Sequence, residues 1–152
     1  MIRVDAVTAV RAQVGEWRQE GLRVCLVPTM GNLHGGHLKL VDRARKTSDR
    51  VVVSIFVNPL QFGVGEDFDA YPRTMEEDER KLREHGVDLL FNPGVAEMYS
   101  HPPETQTRVE VPGLSDILCG ASRPGHFVGV GCRTGYLFRH CLFAEWQCFC
   151  AF

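Results

Sequence analysis

No run of about 18 apolar residues occurs in this chain of 152 residues, so no segment has the length and apolarity of a membrane-spanning helix. An excess of one charge is also missing. Lys and Arg number 17 and Asp and Glu 19, a net charge of −2, which argues against a dedicated nucleic-acid binder. Met1 to Trp17 carries Asp5, Arg11 and Glu16 and has no unbroken apolar stretch, unlike a secretory signal. Internal repeats and low-complexity linkers are absent. What is present is a hydrophobic fraction of 44%, enough for a packed core and too high for a disordered chain. The length suits one domain. The cysteines are lopsided: Cys25 and Cys119 stand alone, while Cys132, Cys141, Cys148 and Cys150 crowd the end. The first 125 residues therefore read as a reduced, cytoplasmic protein with incidental buried thiols.

Val7, Val10, Val14 and Trp17 recur at helical spacing, with Asp5 as the expected N-cap and Gly21 as the stop. Arg23 to Val27 reads as a buried strand ended by Pro28. A loop with three glycines follows, and the helical period resumes from His37 with Leu38, Val41 and Ala44 on one side. Val51 to Val57 is β-branched and nearly continuous, as expected of a parallel strand covered on both faces. Asn58 to Thr74 is a long loop of the kind that carries function. Thr74 to Glu77 reads as a capping box, and Glu76 to Glu79 as a solvated helix face. Val87 to Phe91 is a third strand and Thr105 to Val111 an edge strand. The alternation predicts an α/β fold with a doubly wound parallel sheet.

The segment Met30-Gly31-Asn32-Leu33-His34-Gly35-Gly36-His37 joins a strand to a helix. Backbone N–H groups and the dipole at a helix start attract phosphate. The glycines permit close backbone approach, and His34 and His37, three residues apart, can aim both rings at one ligand. A cap or a metal chelate is the competing reading, but no third ligand stands nearby, and no metal ligand is assigned.

The His-x-Gly-His element resembles the signature of the nucleotidyltransferase superfamily. PTMGNLHGGH, SIFVNPLQFG, DFDAYPRT and LCGASRPGHF, in that order, closely resemble the pantoate–β-alanine ligase (pantothenate synthetase) family over residues 23 to 127. The resemblance implies a Rossmann-like domain that adenylates pantoate with ATP and then transfers the acyl group to β-alanine. The products are pantothenate, AMP and pyrophosphate, with Mg2+ accompanying ATP. Met30 to His37 would then bind ATP, with His37 and His34 catalytic. Pro28 and Met30 would line the mouth of the pantoate pocket. Gln61 would hydrogen-bond pantoate near the β-alanine site, a job that suits an amide able to donate and accept. Asn58 belongs to the same element. Phe56 and Phe62 either wall the pantoate pocket or pack in the core, and Tyr71-Pro72-Arg73 either touches substrate or anchors its loop. Arg123 and His126 either reach a phosphate or carboxylate or hold a turn. The family implies a homodimer whose partners are small molecules, not nucleic acid or membrane.

After Phe127 the family pattern of a helix, a strand, Gly-Glu-Lys-Asp, a Lys-Met-Ser-like loop and a lid domain is not followed. Residues 128–152, rich in Cys, Phe, Gly and Arg, show no clear helical or strand period. The expectation is an incomplete nucleotide-binding domain over 1–127 and an atypical, out-of-frame tail over 128–152. On this expectation the chain as written does not complete the reaction and acts at most as a nucleotide-binding fragment. A zinc-binding tail using Cys132, His140, Cys141, Cys148 and Cys150 is the alternative, although the spacing matches no usual paired arrangement. Another nucleotidyltransferase is the alternative function.

Overall fold

The structure, a computed structural model, describes residues 1–62, 68–99, 109, 113, 119–123 and 125–141. Its sheet is made from Ile2–Val4 (β1), Val24–Thr29 (β2), Arg50–Ile55 (β3) and Leu89–Phe91 (β4). The order is β1-β4-β3-β2, and every pair is parallel. The helices are Val7–Gln19 (α1), Gly35–Thr47 (α2), Met75–Glu84 (α3), Val95–Met98 (α4), Cys119–Ser122 (α5) and His126–Cys141 (α6). A 3-10 turn spans Pro59–Gln61.

Strand side chains alternate between two apolar layers. Leu26, Val52, Leu89 and Phe91 pack with Val10, Val14 and Trp17 of α1 and Leu137 of α6. Cys25, Val27, Val51, Val53 and Leu90 face the opposite way, against Val41 and Ala44 of α2 and Leu82 of α3. Helices therefore cover both faces, which explains why β3 is apolar with almost no polar interruption. Burial pushes the Cys25 thiol up to about 11, so it is an inert core group.

Several boundaries differ from the sequence-based expectation. β1 was not expected; three residues are too few for a period, and its pairing with β4 is wholly tertiary. The α1 cap is Ala6 instead of Asp5, because Glu97, distant in sequence, accepts the Val7 N–H at 2.7 Å. β2 runs through Pro28 to Thr29 instead of stopping at Val27. Among the described strands β2 pairs with β3 alone, and a strand with one paired edge tolerates a residue lacking N–H. The third strand is shorter than expected, Leu89–Phe91, and the second ends at Ile55. The expected edge strand Thr105 to Val111 falls, apart from Val109, outside the described residues.

The tail differs most. Helix α6 occupies 126–141, where no period was read. Buried Val130, Arg133 and Leu137 do recur at helical spacing, but glycines on the other positions hide the pattern. α6 packs closely on the 3-10 turn at Gly129. A Cβ there would lie 2.3 Å from the Leu60 carbonyl oxygen and 2.8 Å from the Gln61 nitrogen. Asn58 Nδ2 donates to the Gly129 carbonyl at 2.9 Å across the same contact. Gly129→Ala is expected to lower stability by about 1–3 kcal/mol, the cost of overpacking against backbone that cannot swing away. Gly135→Ala on the same helix meets only Val109 Cγ2 at 3.8 Å and should be neutral or stabilising by up to about 1 kcal/mol. Urea denaturation of both variants checks this; equal effects would contradict the close approach.

Candidate active site

At the carboxyl end of β2 the chain makes a tight turn and enters α2. Gly31 at φ +85° and Asn32 at φ +51° are both left-handed. Glycine takes that conformation without strain, and asparagine is among the side chains that tolerate it. A Cβ on Gly31 would meet Ile55 Cγ2 at 3.1 Å and Asp78 Oδ2 at 3.3 Å, so the turn lies tightly on its neighbours. Thr29 connects it to the sheet: its hydroxyl donates to the Ser54 carbonyl at 2.9 Å and accepts the Gly31 N–H at 3.2 Å.

The α2 N-terminus is capped by histidines. His34 is the N-cap, and its Nδ1 accepts the Gly36 N–H at 3.1 Å. His37 Nδ1 accepts the His34 N–H at 3.4 Å, making the reciprocal arrangement of a capping box. The ring centroids are 4.1 Å apart. A Cβ on Gly36 would lie 2.9 Å from the His34 ring, so glycine is what lets that ring fold back. An Nδ1 that accepts an N–H carries no proton, which assigns the proton of each neutral ring to Nε2. Burial, and secondarily the neighbouring His34, hold the His37 pKa below 6.5, while Asp78 pulls weakly the other way. The pair thus presents two neutral Nε2–H donors at the start of a helix.

Helix α3 holds this loop from beneath. Asp78, 1% exposed, accepts the Asn32 N–H at 2.8 Å on Oδ2 and the Leu33 N–H at 2.7 Å on Oδ1. Thr74 Oγ1 donates to Oδ2 at 3.2 Å, and Lys81 Nζ donates to the Leu33 carbonyl at 2.7 Å. Two expectations are corrected here. Glu76 to Glu79 is not simply a solvated face, because Asp78 points inward. Thr74 is the N-cap of α3 but makes no capping bond, its hydroxyl being engaged by Asp78. The N–H groups of Gly31, Asn32 and Leu33 are taken by protein oxygens and that of Gly36 by His34 Nδ1, so the backbone expected to cradle phosphate is narrowed to what the first turn of α2 leaves. The sequence signal for Asp78 was its place between Met75 and Leu82 on the inward face of α3.

A cleft of about 430 Å³ opens beside the loop at the carboxyl ends of β2, β3 and β4. Met30, Gly31, Phe56, Arg73, Asp78 and Pro93 are in its wall. His34 and His37 are not among its wall residues. Pro28 is buried within β2, and Leu33 is a core side chain at 2% exposure. Asn32, Gly35 and Gly36 are exposed. Phe56, 3% exposed, both packs in the core and touches the cleft. Phe62 stacks edge-on with Phe68 and Tyr71, and Arg73 donates to the Asp69 carbonyl at 2.9 Å, so this segment anchors itself.

Gln61 is 4% exposed and sits in a network. Asn58 Nδ2 donates to its Oε1 at 3.1 Å, and Tyr99 Oη donates to Asn58 Oδ1 at 2.9 Å. Burial drives the Tyr99 hydroxyl pKa far up, keeping that donor protonated. Arg123 Nη2 at 3.2 Å and His126 Nδ1 at 3.0 Å both donate to the Gln61 carbonyl. These two side chains therefore fix the Gln61 backbone in this structure.

A parallel sheet covered on both faces, with a paired-histidine loop leading from a strand into a helix, defines a Rossmann-like α/β protein. The family model for pantoate-beta-alanine ligase matches residues 3–142, beyond the 127/128 boundary drawn from sequence. Pantothenate synthetase of Alteromonas mediterranea is 58% identical over 135 residues, covering 89% of this chain and 48% of the relative. That of Shewanella halifaxensis is 54% identical over 138 residues, covering 91% and 49%. A crystal structure of pantothenate synthetase from Thermus thermophilus superposes with TM-score 0.80 at 50% identity, covering 93% of this chain and 49% of that one. Pantoate-beta-alanine ligase from Francisella tularensis, complexed with beta-gamma ATP and beta-alanine, gives 0.84 at 35% identity, covering 93% and 53%. The chain belongs to the pantoate-beta-alanine ligase family. It spans about half the length of the curated relatives it matches.

The histidine geometry has a pH consequence. The folded pKa of His37 lies below its unfolded value of 6.5. The stability gained by keeping it neutral is present above pH 6.5 and is lost as pH falls below it. Nitrogen-15 NMR of the rings should show the Nε2–H tautomer for His34 and His37 at pH 7.5 and a His37 midpoint below 6.5. A midpoint above 6.5, or Nδ1–H rings, would contradict the capping arrangement.

Proposed function

We propose that this chain provides the ATP- and pantoate-binding half of a pantoate–β-alanine ligase, which joins pantoate and β-alanine through a pantoyl adenylate. The observation carrying this reading is the pair of Nε2–H donors set by the two Nδ1 acceptors at the start of α2. When the pantoate carboxylate attacks the α-phosphate, negative charge builds on phosphoryl oxygens as the bond to pyrophosphate breaks. Neutral donors already fixed in place stabilise that charge without reorganising. His37 and His34 act there, with the first turn of α2 adding its dipole. Met30 and Gly31 belong both to the histidine loop and to the wall of the cleft, which suits pantoate, a small hydroxy acid. Gln61 is assigned to pantoate from its motif, with Asn58 holding its Oε1 and Phe62 on the adjoining loop. Asn92 is the amide in the cleft wall itself, and Pro28, buried within β2, acts only from behind that wall. Arg123 and His126 act by holding Gln61.

The donor set does not fit a cation held by the protein. Both Asp78 oxygens already accept protein donors, and no group of three or more His, Cys, Asp or Glu side chains converges among the described residues. Mg2+ is assigned to the nucleotide as its counter-ion, and none of the roles above depends on it. A cytoplasmic location accords with dependence on ATP, and a homodimer is the assembly expected of the family.

A chimera tests the reading: residues 1–142, the extent of the family match, joined to the part of the Alteromonas mediterranea relative that this chain does not cover. It should release pyrophosphate from ATP only when pantoate is present. His37→Ala should slow that step by about 10²–10³-fold, the usual loss for one preorganised donor, while ATP affinity changes much less. A folded, ATP-binding chimera with no pantoate-dependent pyrophosphate release would overturn it.

A further inference from the structure

The Asp78 carboxylate raises a question that the proposed chemistry leaves open, namely why a negative charge is buried directly under a loop that receives phosphate. We propose that Asp78, together with Lys81, is the positioning element of the histidine pair, acting through the backbone of Asn32 and Leu33. The inference rests on the reading of His34 and His37 as phosphate-facing groups.

Three observations support it. First, Asp78 accepts two consecutive N–H groups and the Thr74 hydroxyl while nearly fully buried, so its charge is balanced by fixed donors and not by water. Second, Asn32 holds a left-handed backbone at φ +51°, a conformation that costs energy in a non-glycine residue unless its surroundings impose it. The Asp78 bond to its N–H provides that imposition. Third, the Leu33 peptides are gripped on both sides, N–H by Asp78 and C=O by Lys81, from adjacent positions on one face of α3. Leu33 immediately precedes His34, whose backbone N–H sets the His37 ring. The direction in which both Nε2 atoms point is therefore inherited from α3. The same bonds occupy the amides that would otherwise compete for phosphate, and the buried charge repels an anion from that segment. Phosphate is left with the rings and the first turn of α2.

The test uses the whole chain and Asp78→Asn, a substitution of equal size that leaves one of the two N–H groups facing an amide NH2. Exchange of the Asn32 and Leu33 amides should accelerate at least tenfold, while the Val53 and Leu90 amides of the sheet stay protected. The ring nitrogen signals of His34 and His37 should lose the single Nε2–H pattern, and ATP should bind at least tenfold more weakly. Should Asp78→Asn fail to fold, Lys81→Met, which removes the bond to the Leu33 carbonyl together with a solvent-facing ion pair to Glu77, is expected to give the same changes at smaller size. Unchanged exchange and unchanged ring tautomers in a folded variant would overturn the inference. If ATP leaves both rings of the unsubstituted chain unshifted, the phosphate-facing reading itself fails, whatever the variants do.

Discussion

One carboxylate accounts for the shape of the candidate site. Asp78 reaches from α3 under the turn that follows β2 and takes the N–H groups of Asn32 and Leu33. Burying a charge is tolerable only where donors surround it, and here Thr74 provides the third. Because the two amides are consecutive and the oxygens share one carbon, the turn has little freedom to rotate. The left-handed residues, the N-cap position of His34 and the ring of His37 follow from that anchoring. Removing one acceptor would leave a buried N–H unsatisfied, a loss of about 1–3 kcal/mol concentrated at the loop.

The sheet makes such anchoring possible. Parallel strands end at a common edge, and the loops leaving β2, β3 and β4 meet there. α3 reaches the β2 loop because Leu82 packs in the same layer as Val27, Leu33 and Leu90. Thr29 connects the loop to the Ser54 carbonyl of β3, so loop and sheet move as one body. On the other face α1 and α6 cover Val52, Leu89 and Phe91. α6 also brings Gly129 against the Asn58–Gln61 turn. The two helical layers thus serve different parts of the site: α3 sets the histidines, and α6 sets Gln61.

Much of this was legible in the residues. The β-branched run at Val51 and the glycine-rich turn before His37 announced a parallel α/β fold with a loop at a carboxyl end. Four ordered motifs pointed to the family. What escaped were features decided by distant partners. Asp5 has the chemistry of a cap, yet Glu97 is the carboxylate that lies at the Val7 N–H. Pro28 ordinarily ends a strand, but β2 has a side where a missing N–H costs nothing. Asp78 stands in a run of acidic residues in which Glu76 and Glu77 face outward and Glu79 pairs with Arg3, and only its phase with Met75 and Leu82 distinguishes it. The period of α6 is diluted by Gly129, Gly131 and Gly135, which lower helix propensity without changing which face is buried. For Asp5, Pro28 and Asp78 a tertiary contact decided the outcome, whereas for α6 the helical period itself was missed.

The central claim is that anchoring by α3 aims two neutral imidazoles at the phosphates of a nucleotide. A crystal structure of the chain with ATP tests it most directly. The account predicts phosphate oxygens about 3 Å from Nε2 of both His34 and His37, with the Asn32 and Leu33 amides still bonded to Asp78. Phosphates seated on those two amides with Asp78 displaced, or a nucleotide bound away from both rings, would contradict it.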